Sequence, residues 1–506
     1  MARILRAALS ALLLLLAACA QRESSLASEG GIPAHLREIM EAGRAAALPS
    51  FHPEFDELSS ALLTQGLASE EDALIAGRQL PFERAPGQGY REIISSAHLD
   101  NYITREEMVE ELTFFFDFLK YAYAGYQYFG GDESFLPLRD LMIESVEASE
   151  SPRQVSWYLN NILVSGMRRM IADDHFQLHN ITIGARPHAA RMSEEYVLRR
   201  EAGGYVVEIE GALYRLIEAR LRDGRVVEGA LPTLTRDGEP AYAFGVFSAD
   251  DDWSARALSV ALENVATGER VSRVVSLSII LSYMADSYPL YEERRENGVP
   301  IVVNRTLDGS LIDSVASSSF YRRGADLRDE PVVVLDLRSH RGGFEAPMLN
   351  WMDGFGRNSP SGRAFAFFGL LSRSNYMGSD FLPPLWNRVS SRAPIARPSV
   401  GNALLVVLMD RNTGSAGDLL IGYLREMENV LFVGTNTRGL LVTREVMRTR
   451  LPISGIDFIY GTMLSLRPDF SQFEGVGFLP DLWAPPRESL DRVLAFIERY
   501  GLAKYE

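Results

Sequence analysis

The sequence contains very little cysteine: of its 506 residues, only Cys19 is a cysteine. A chain with a single cysteine cannot form an internal disulfide bond, and it cannot supply the thiolate cluster of a structural zinc site. Because Cys19 lies in the N-terminal segment, the rest of the chain also has no thiol for nucleophilic catalysis. The composition therefore excludes disulfide-stabilised folds, cysteine-based zinc sites and thiol catalysis.

Positive charge is also scarce. Lysine and arginine number 51 against 67 aspartates and glutamates, which gives a formal net charge of −16. Proteins that bind nucleic acid present basic stripes to the phosphates, so we expect no nucleic-acid partner. With 46% hydrophobic and 23% charged residues, the composition is that of a globular protein, and the length predicts two to four domains.

Long apolar runs are limited to the N-terminus, where two arginines precede the stretch "AALSALLLLLAA". This stretch is too short to span a bilayer and is typical of a signal peptide. It ends in "LAAC", which resembles the lipobox of bacterial lipoproteins and implies cleavage before Cys19, lipidation of that cysteine and a membrane anchor. Ala20 and Gln21 stand where inner-membrane lipoproteins carry aspartate, which favours an outer-membrane or periplasmic address, or the cell surface. The alternative is a plain secretory signal.

The patterns along the chain predict five segments. Helical spacing dominates before about residue 182, with Thr104 and Ser151 as helix-start signals. Alternating residues and "DG" turns then predict a small antiparallel β domain, and the runs "PVVVLDL", "ALLVVLM" and "NVLFVG" predict buried strands of an α/β sheet. The segments are a signal peptide at 1–19, a tether at 20–32, a helical region at 33–182, a β-rich domain at 183–297 and an α/β core at 298–506.

The stretch "RNTGSAGDLL" follows one of these buried strands and opens a helix near Ser415. A serine at this position lies where unpaired helix N–H groups and the positive end of the helix dipole favour an oxyanion. The flanking small residues would let a substrate backbone approach. The same position suits a helix cap made by Ser415 or Thr413, so this stretch alone leaves both interpretations open.

Three further stretches carry candidate chemistry. In "VVVLDLRSHRGGF" a strand ends in Asp336 and Arg338, and the glycine pair 342–343 offers either oxyanion N–H groups or a tight turn. In "IADDHFQLHN", His175 suits a general base, although with His179 it could instead ligate a metal, or be structural. In "FEGVGFLPDLW", Glu474 could orient a histidine or simply be a surface glutamate.

Taken together, "DLRSHRGG", "TGSAGD" and "EGVGFLPD" occur in an order and spacing that resemble the C-terminal-processing (tail-specific) serine peptidase family. The resemblance covers about residues 165–180 and 298–485. It implies a crotonase- or ClpP-like α/β catalytic core with flanking domains, and Ser415 as the nucleophile. It also implies an oxyanion hole made by the N–H groups of Ala416 and of Gly342 or Gly343.

The sequence departs from the tail-specific members at the general base. Those members use a lysine about 25 residues after the serine, and Leu440 occupies that position here. Arg438 is nearby, but a guanidinium does not lose its proton and cannot act as a base. The tricorn-core branch of the family uses a histidine and a glutamate instead. "DDHF" and "EGVGFLPD" resemble its motifs, which implies a triad of Ser415, His175 and Glu474.

Together with the lipobox, the resemblance implies a lipid-anchored serine endopeptidase that acts on exported peptides or unfolded protein segments, without metal or other cofactor. His340 and Arg341 replace the Asn and Gly usual in the family. They could crowd the oxyanion loop, or add a cation that binds a substrate carboxylate. They also motivate the alternative of a catalytically inactive, scaffold-type lipoprotein. Because the β-rich segment shows no carboxylate-binding loop of a PDZ domain, recognition of free C-termini stays open, as does the oligomeric state.

Overall fold

The structure is a computed structural model of the chain. It describes residues 32–47, 53–54, 57, 99–280, 289–308, 314–344, 346–356, 366–369, 403–425, 427, 429–467 and 473–503. The signal peptide with Cys19 and most of the tether lie outside the described residues, so those predictions are not tested.

The described residues form helices and strands in an order typical of an α/β protein. The helices are α1 (Ala34–Ala47), α2 (Arg105–Ala122), α3 (Gly125–Tyr128), α4 (Gly131–Glu147), α5 (Ser156–Met167), α6 (Ser314–Leu327), α7 (Ala346–Phe355), α8 (Ala416–Leu424) and α9 (Ser489–Arg499). The strands before the core are β1 (Tyr102–Thr104), β2 (Arg153–Val155), β3 (Gln177–Leu178), β4 (Ile181–Thr182), β5 (His188–Glu201), β6 (Gly204–Ile209), β7 (Ala212–Leu221), β8 (Val226–Val227), β9 (Ala230–Leu234), β10 (Pro240–Ala249), β11 (Ala257–Asn264), β12 (Arg270–Ser276) and β13 (Ser278–Ile279). The later strands are β14 (Tyr291–Glu296), β15 (Val299–Asn304), β16 (Val332–Asp336), β17 (Ala366–Gly369), β18 (Leu404–Met409), β19 (Val430–Gly434), β20 (Thr443–Arg450), β21 (Asp457–Leu466) and β22 (Leu482–Trp483).

The centre of the molecule is a run of parallel strands in the order β15, β16, β18, β19 and β22. Their continuous apolar sequences are explained by burial on both faces. One face packs against α6, α7 and α8, and the other against α1 and α9. Parallel strands covered by helices on both sides end at one shared edge, where loops carry functional residues. The loops after β16 and β18 contain the glycine pair and Ser415.

The strands between 188 and 279 pair antiparallel, as the alternating pattern indicates. They do not form a detached sheet, because β9 pairs in parallel with β22 through Thr233 and Trp483. The β-rich segment and the core therefore belong to one hydrogen-bonded sheet of 15 strands. The segment boundaries given above stay predictions.

The helical region packs against a second sheet that contains β21. Thr104 caps α2 in a reciprocal capping box with Glu107, as its sequence indicates. The helix predicted to start at Ser151 begins at Ser156, because Arg153–Val155 pair with β1 as strand β2. Aromatic side chains of α2 contact Phe458 of β21, and β3 pairs with the same strand. These contacts fix the turn before β3, which carries His175, against the core.

The predicted α/β fold class is confirmed, with helices around a large mixed sheet. None of the helices in the described ranges combines the length and the apolar character that a bilayer crossing requires.

Candidate active site

Ser415 occupies a strained turn between β18 and α8. Its backbone φ is 56° and ψ is −120°, a conformation that non-glycine residues seldom adopt and that is often found at functional sites. Its side chain makes no capping hydrogen bond to α8, although the residue occupies the N-cap position. Thr413 holds the turn by donating to the Leu337 carbonyl at 2.8 Å. The geometry therefore does not support the interpretation of Ser415 as an ordinary side-chain cap.

His175 contacts Ser415. The distance between its Nε2 and the Ser415 Oγ is 3.1 Å, across 240 residues of sequence. Burial lowers the pKa of His175 to about 4, and the charges of Arg438 and Arg444 act in the same direction. A polar contact with the Thr443 backbone has the opposite effect on this pKa. At neutral pH the imidazole is uncharged and can accept the hydroxyl proton when Nδ1 carries the ring hydrogen.

Glu474 contacts backbone N–H groups near His175, whereas a triad implies a direct contact with the His175 ring. One carboxylate oxygen accepts the N–H of Asp174 at 2.7 Å, and the other accepts those of Leu441 and Val442 at 2.8 Å each. Nδ1 of His175 makes no well-formed hydrogen bond to any described residue. Burial, and the nearby Asp173 charge, raise the pKa of Glu474 well above its usual range. Glu474 thus holds the backbone that carries His175.

A second buried carboxylate, Asp173, supports the same turn and is not among the predicted site residues. One of its oxygens accepts the backbone N–H of His175 at 2.9 Å. The other accepts the hydroxyls of Tyr123 and Thr443, each at 2.8 Å. Burial raises the pKa of Asp173 to about 6, against the effect of these hydrogen bonds. The paired acids in "DDHF" were the only sequence feature that pointed to Asp173, because its partners lie far away in the chain, just after the end of α2 and at the start of β20.

The predicted oxyanion residues lie beside Ser415. A methyl group placed on Gly342, whose φ is 93°, would be 2.9 Å from the Ser415 Cβ and 3.5 Å from the Ala416 nitrogen. Ala416 is the first residue of α8, so its N–H has no partner within the helix. Leu307 bonds to the Gly342 carbonyl and the Phe344 N–H, so the N–H of Gly343 points away from Leu307. The oxyanion roles of these residues stay predictions.

His340 supports the glycine loop and does not crowd it. Its ring is buried, and Nδ1 accepts the N–H of Gly342 at 3.1 Å. This bond makes Gly343 a better candidate than Gly342 for the second oxyanion donor. The His340 carbonyl also accepts the N–H of Gly414, which ties the glycine loop to the Ser415 turn. Arg341 is exposed at the surface.

Asp336 and Arg338, at the end of β16, form a buried bidentate ion pair with N–O distances of 2.8 and 2.6 Å. Burial acts to raise the pKa of Asp336, but the Arg338 and Arg305 charges outweigh it and keep the pKa below its usual range. This pair anchors the base of the glycine loop and has no contact with Ser415 or His175 among the interactions of the described residues.

Leu440 lies next to the Ser415 turn: its Cβ is 3.7 Å from the position that a Cβ on Gly414 would occupy. Its N–H donates to the buried Asp418 of α8 at 2.9 Å, and Gly439 donates to the same carboxylate. An apolar side chain therefore lies beside the Ser415 turn, and the imidazole that contacts Ser415 comes from the helical region. His179 pairs with Asp457 at 2.8 Å, and no group of three or more metal-ligating side chains occurs in the part of the chain that the structure describes.

Residues 312–483 match the sequence pattern that defines Peptidase family S41. This segment therefore has the sequence of an S41 serine peptidase. It contains Ser415, Ala416, the glycine pair and Glu474, whereas His175 precedes it. The match confirms the predicted C-terminal-processing serine peptidase family and the assignment to serine-type peptidases. The tricorn-core-like branch with its Ser-His-Glu triad stays a prediction.

Several solved structures resemble the chain at low identity. Mature CPAF is 12% identical, with 78% of this chain and 96% of that chain covered and a TM-score of 0.40. The photosystem II D1 C-terminal processing protease is 14% identical, with 77% and 97% covered and a TM-score of 0.36. The tricorn protease is 14% identical, with 78% and 37% covered and a TM-score of 0.34. No curated protein matches the sequence.

Proposed function

We propose that the protein is a lipid-anchored serine endopeptidase, bound to a membrane through Cys19, that hydrolyses exported peptides or unfolded protein segments. The single observation that carries the catalytic part is the 3.1 Å contact between the Ser415 Oγ and the His175 Nε2. A strained serine at a helix N-terminus, beside a neutral histidine, has the chemistry of an activated nucleophile.

The proposed reaction begins when Ser415 attacks the scissile carbonyl and His175 accepts its proton. The negative oxygen that develops is stabilised by the N–H groups of Ala416 and Gly343, aided by the dipole of α8. His175 then protonates the leaving amine, and the acyl-enzyme is hydrolysed by water through the same steps. Glu474 and Asp173 position the imidazole indirectly, because their carboxylates accept the backbone N–H groups of Asp174 and His175.

The catalytic proposal is tested with Ser415→Ala and His175→Gln. Each removes a group that exchanges the proton, so we expect kcat/KM on an unfolded protein substrate to fall by about 10⁴-fold or more. Labelling by a fluorophosphonate probe is expected to disappear in Ser415→Ala. His179→Gln is the control, since glutamine can still donate to Asp457. Full cleavage by Ser415→Ala would refute Ser415 as the nucleophile. A wild-type protein that neither cleaves the substrate nor reacts with the probe would favour the inactive, scaffold-type alternative.

The anchor is proposed from "LAAC" alone and is tested separately. Cys19→Ser removes the thiol to which lipid would attach, so we expect the exported protein to move from the membrane fraction to the soluble fraction. The measurement is immunodetection after fractionation, with the peptidase activity of the soluble form as a check on folding. Membrane association that persists in Cys19→Ser would contradict the lipid anchor and leave the peptidase proposal intact.

A further inference from the structure

A cleft of about 520 Å³ is lined by Asp174, which directly precedes His175, and by Arg438, whose backbone contacts the turn that carries Ser415. Its charged and titratable lining residues are Arg168, Arg411, Arg438, Asp174 and His188, and its other lining residues are uncharged. Three guanidinium groups against one carboxylate make this lining basic, although the whole chain carries a formal charge of −16. A local field of this kind selects ligands independently of the net charge of the protein.

The existing contacts of these arginines leave a positive surplus. Arg438 pairs with Asp174 at 3.2 Å, and Arg411 pairs with Asp250, which lies outside the cleft lining. Arg168 donates to the uncharged Thr182 carbonyl at 3.3 Å. Counting Asp250 as well, the three arginines face two carboxylates, so one positive charge remains.

Two chain segments connect the cleft lining to Ser415 and His175. Asp174 directly precedes His175, and the Arg438 N–H donates to the Thr413 carbonyl at 2.8 Å. A methyl group placed on Gly414 would lie 3.5 Å from the Cβ and Cδ of Arg438. The cleft lining is therefore contiguous with both of the turns that carry Ser415 and His175.

We propose that this cleft is a subsite for an acidic side chain, aspartate or glutamate, of the peptide substrate. The inference rests on the proposed function and adds the substrate preference. Guanidinium groups bind carboxylates through paired, charge-assisted hydrogen bonds, and Arg168 and Arg411 present such donors from different elements.

The test uses peptides acetylated at the N-terminus and amidated at the C-terminus, built around a cleavage position mapped by mass spectrometry in an unfolded protein. Sets differ only by Glu, Gln or Lys at each position flanking the scissile bond. We expect kcat/KM for Glu over Gln to be about tenfold at one position, and the ratio to shrink with added salt. Arg411→Gln lowers that ratio.

Arg168→Glu reverses the charge of an exposed residue in the cleft lining. We expect the enzyme then to prefer Lys at the peptide position where the unmodified enzyme prefers Glu, a change that partial unfolding cannot produce. Arg169→Glu is the matched control: the neighbouring residue is also exposed, but it does not line the cleft. Cleavage of all three peptides within about twofold at every position overturns the subsite alone. The same peptides are also made with a free C-terminal carboxylate, and a preference seen only in that second set overturns the side-chain assignment. No Ser415-dependent cleavage of any substrate overturns the proposed function as well.

Discussion

The turn with Ser415 and the turn with His175 meet in one site but are held by different means. The Ser415 turn is anchored inside the α/β core by neighbouring residues such as Asp410 and Thr413. The His175 turn comes from the helical region and is fixed by two buried carboxylates, Asp173 and Glu474, that bind backbone N–H groups. The Ser415 turn is thus held by nearby residues of the core, whereas the His175 turn depends on tertiary contacts between distant segments.

Among substitutions that loosen the His175 turn, the largest effect is expected at Glu474. Glu474→Ala leaves three buried N–H groups without an acceptor, so we expect the free energy of unfolding to fall by about 2–4 kcal/mol and kcat/KM by about 10²-fold or more. Glu474→Gln keeps one oxygen for Leu441 and Val442, and its loss should be near tenfold. Kinetics and chemical denaturation measure both, with the exposed Glu445→Gln as control.

The glutamine variant also distinguishes the two possible roles of Glu474. A carboxylate that bonds the imidazole directly fixes its tautomer, and its replacement by an amide costs about 10⁴-fold in kcat in a serine–histidine site. A loss of that size in Glu474→Gln, with unchanged stability, would contradict the backbone-holding role and restore the direct triad contact.

A smaller effect is expected at Asp173. Tyr123→Phe and Thr443→Val each remove a hydroxyl donor, which costs about 1 kcal/mol of stability and raises the pKa of Asp173 further. A protonated Asp173 accepts the His175 N–H less well, so kcat should fall several-fold at neutral pH, recover as the pH rises above the Asp173 pKa, and leave KM unchanged. Tyr126→Phe, which loses only a bond to Asp132, is the control. Equal losses at all pH values would contradict the role of Asp173.

The sequence predicts the Ser415 side of the site better than the His175 side. Continuous apolar runs indicated β16, β18 and β19, and the glycines of the loops that follow β16 and β18 can be read directly from the sequence. The stretch around His175 left a general base, a metal ligand and a structural histidine all open, and only the resemblance favoured the base. The sequence could not decide because β3 is two residues long and pairs with β21, about 280 residues later. The backbone partners of Glu474 have no sequence signal, since any residue type offers an N–H group.

The smallest expected effect concerns the charge environment of His175. Its pKa is lowered to about 4 by burial first and by Arg438 and Arg444 next, so the neutral, proton-accepting form persists well below the ordinary histidine range. The acidic limb of kcat/KM that is due to His175 should therefore lie near that value. Arg438→Gln removes a positive neighbour, the imidazole takes up its proton more readily, and the limb should move to higher pH by about half a pH unit. Arg438→Lys keeps the charge and should leave the limb in place. If Arg438→Lys and Arg438→Gln shift the acidic limb equally, the cause is the lost contact with Asp174 and the electrostatic explanation is wrong.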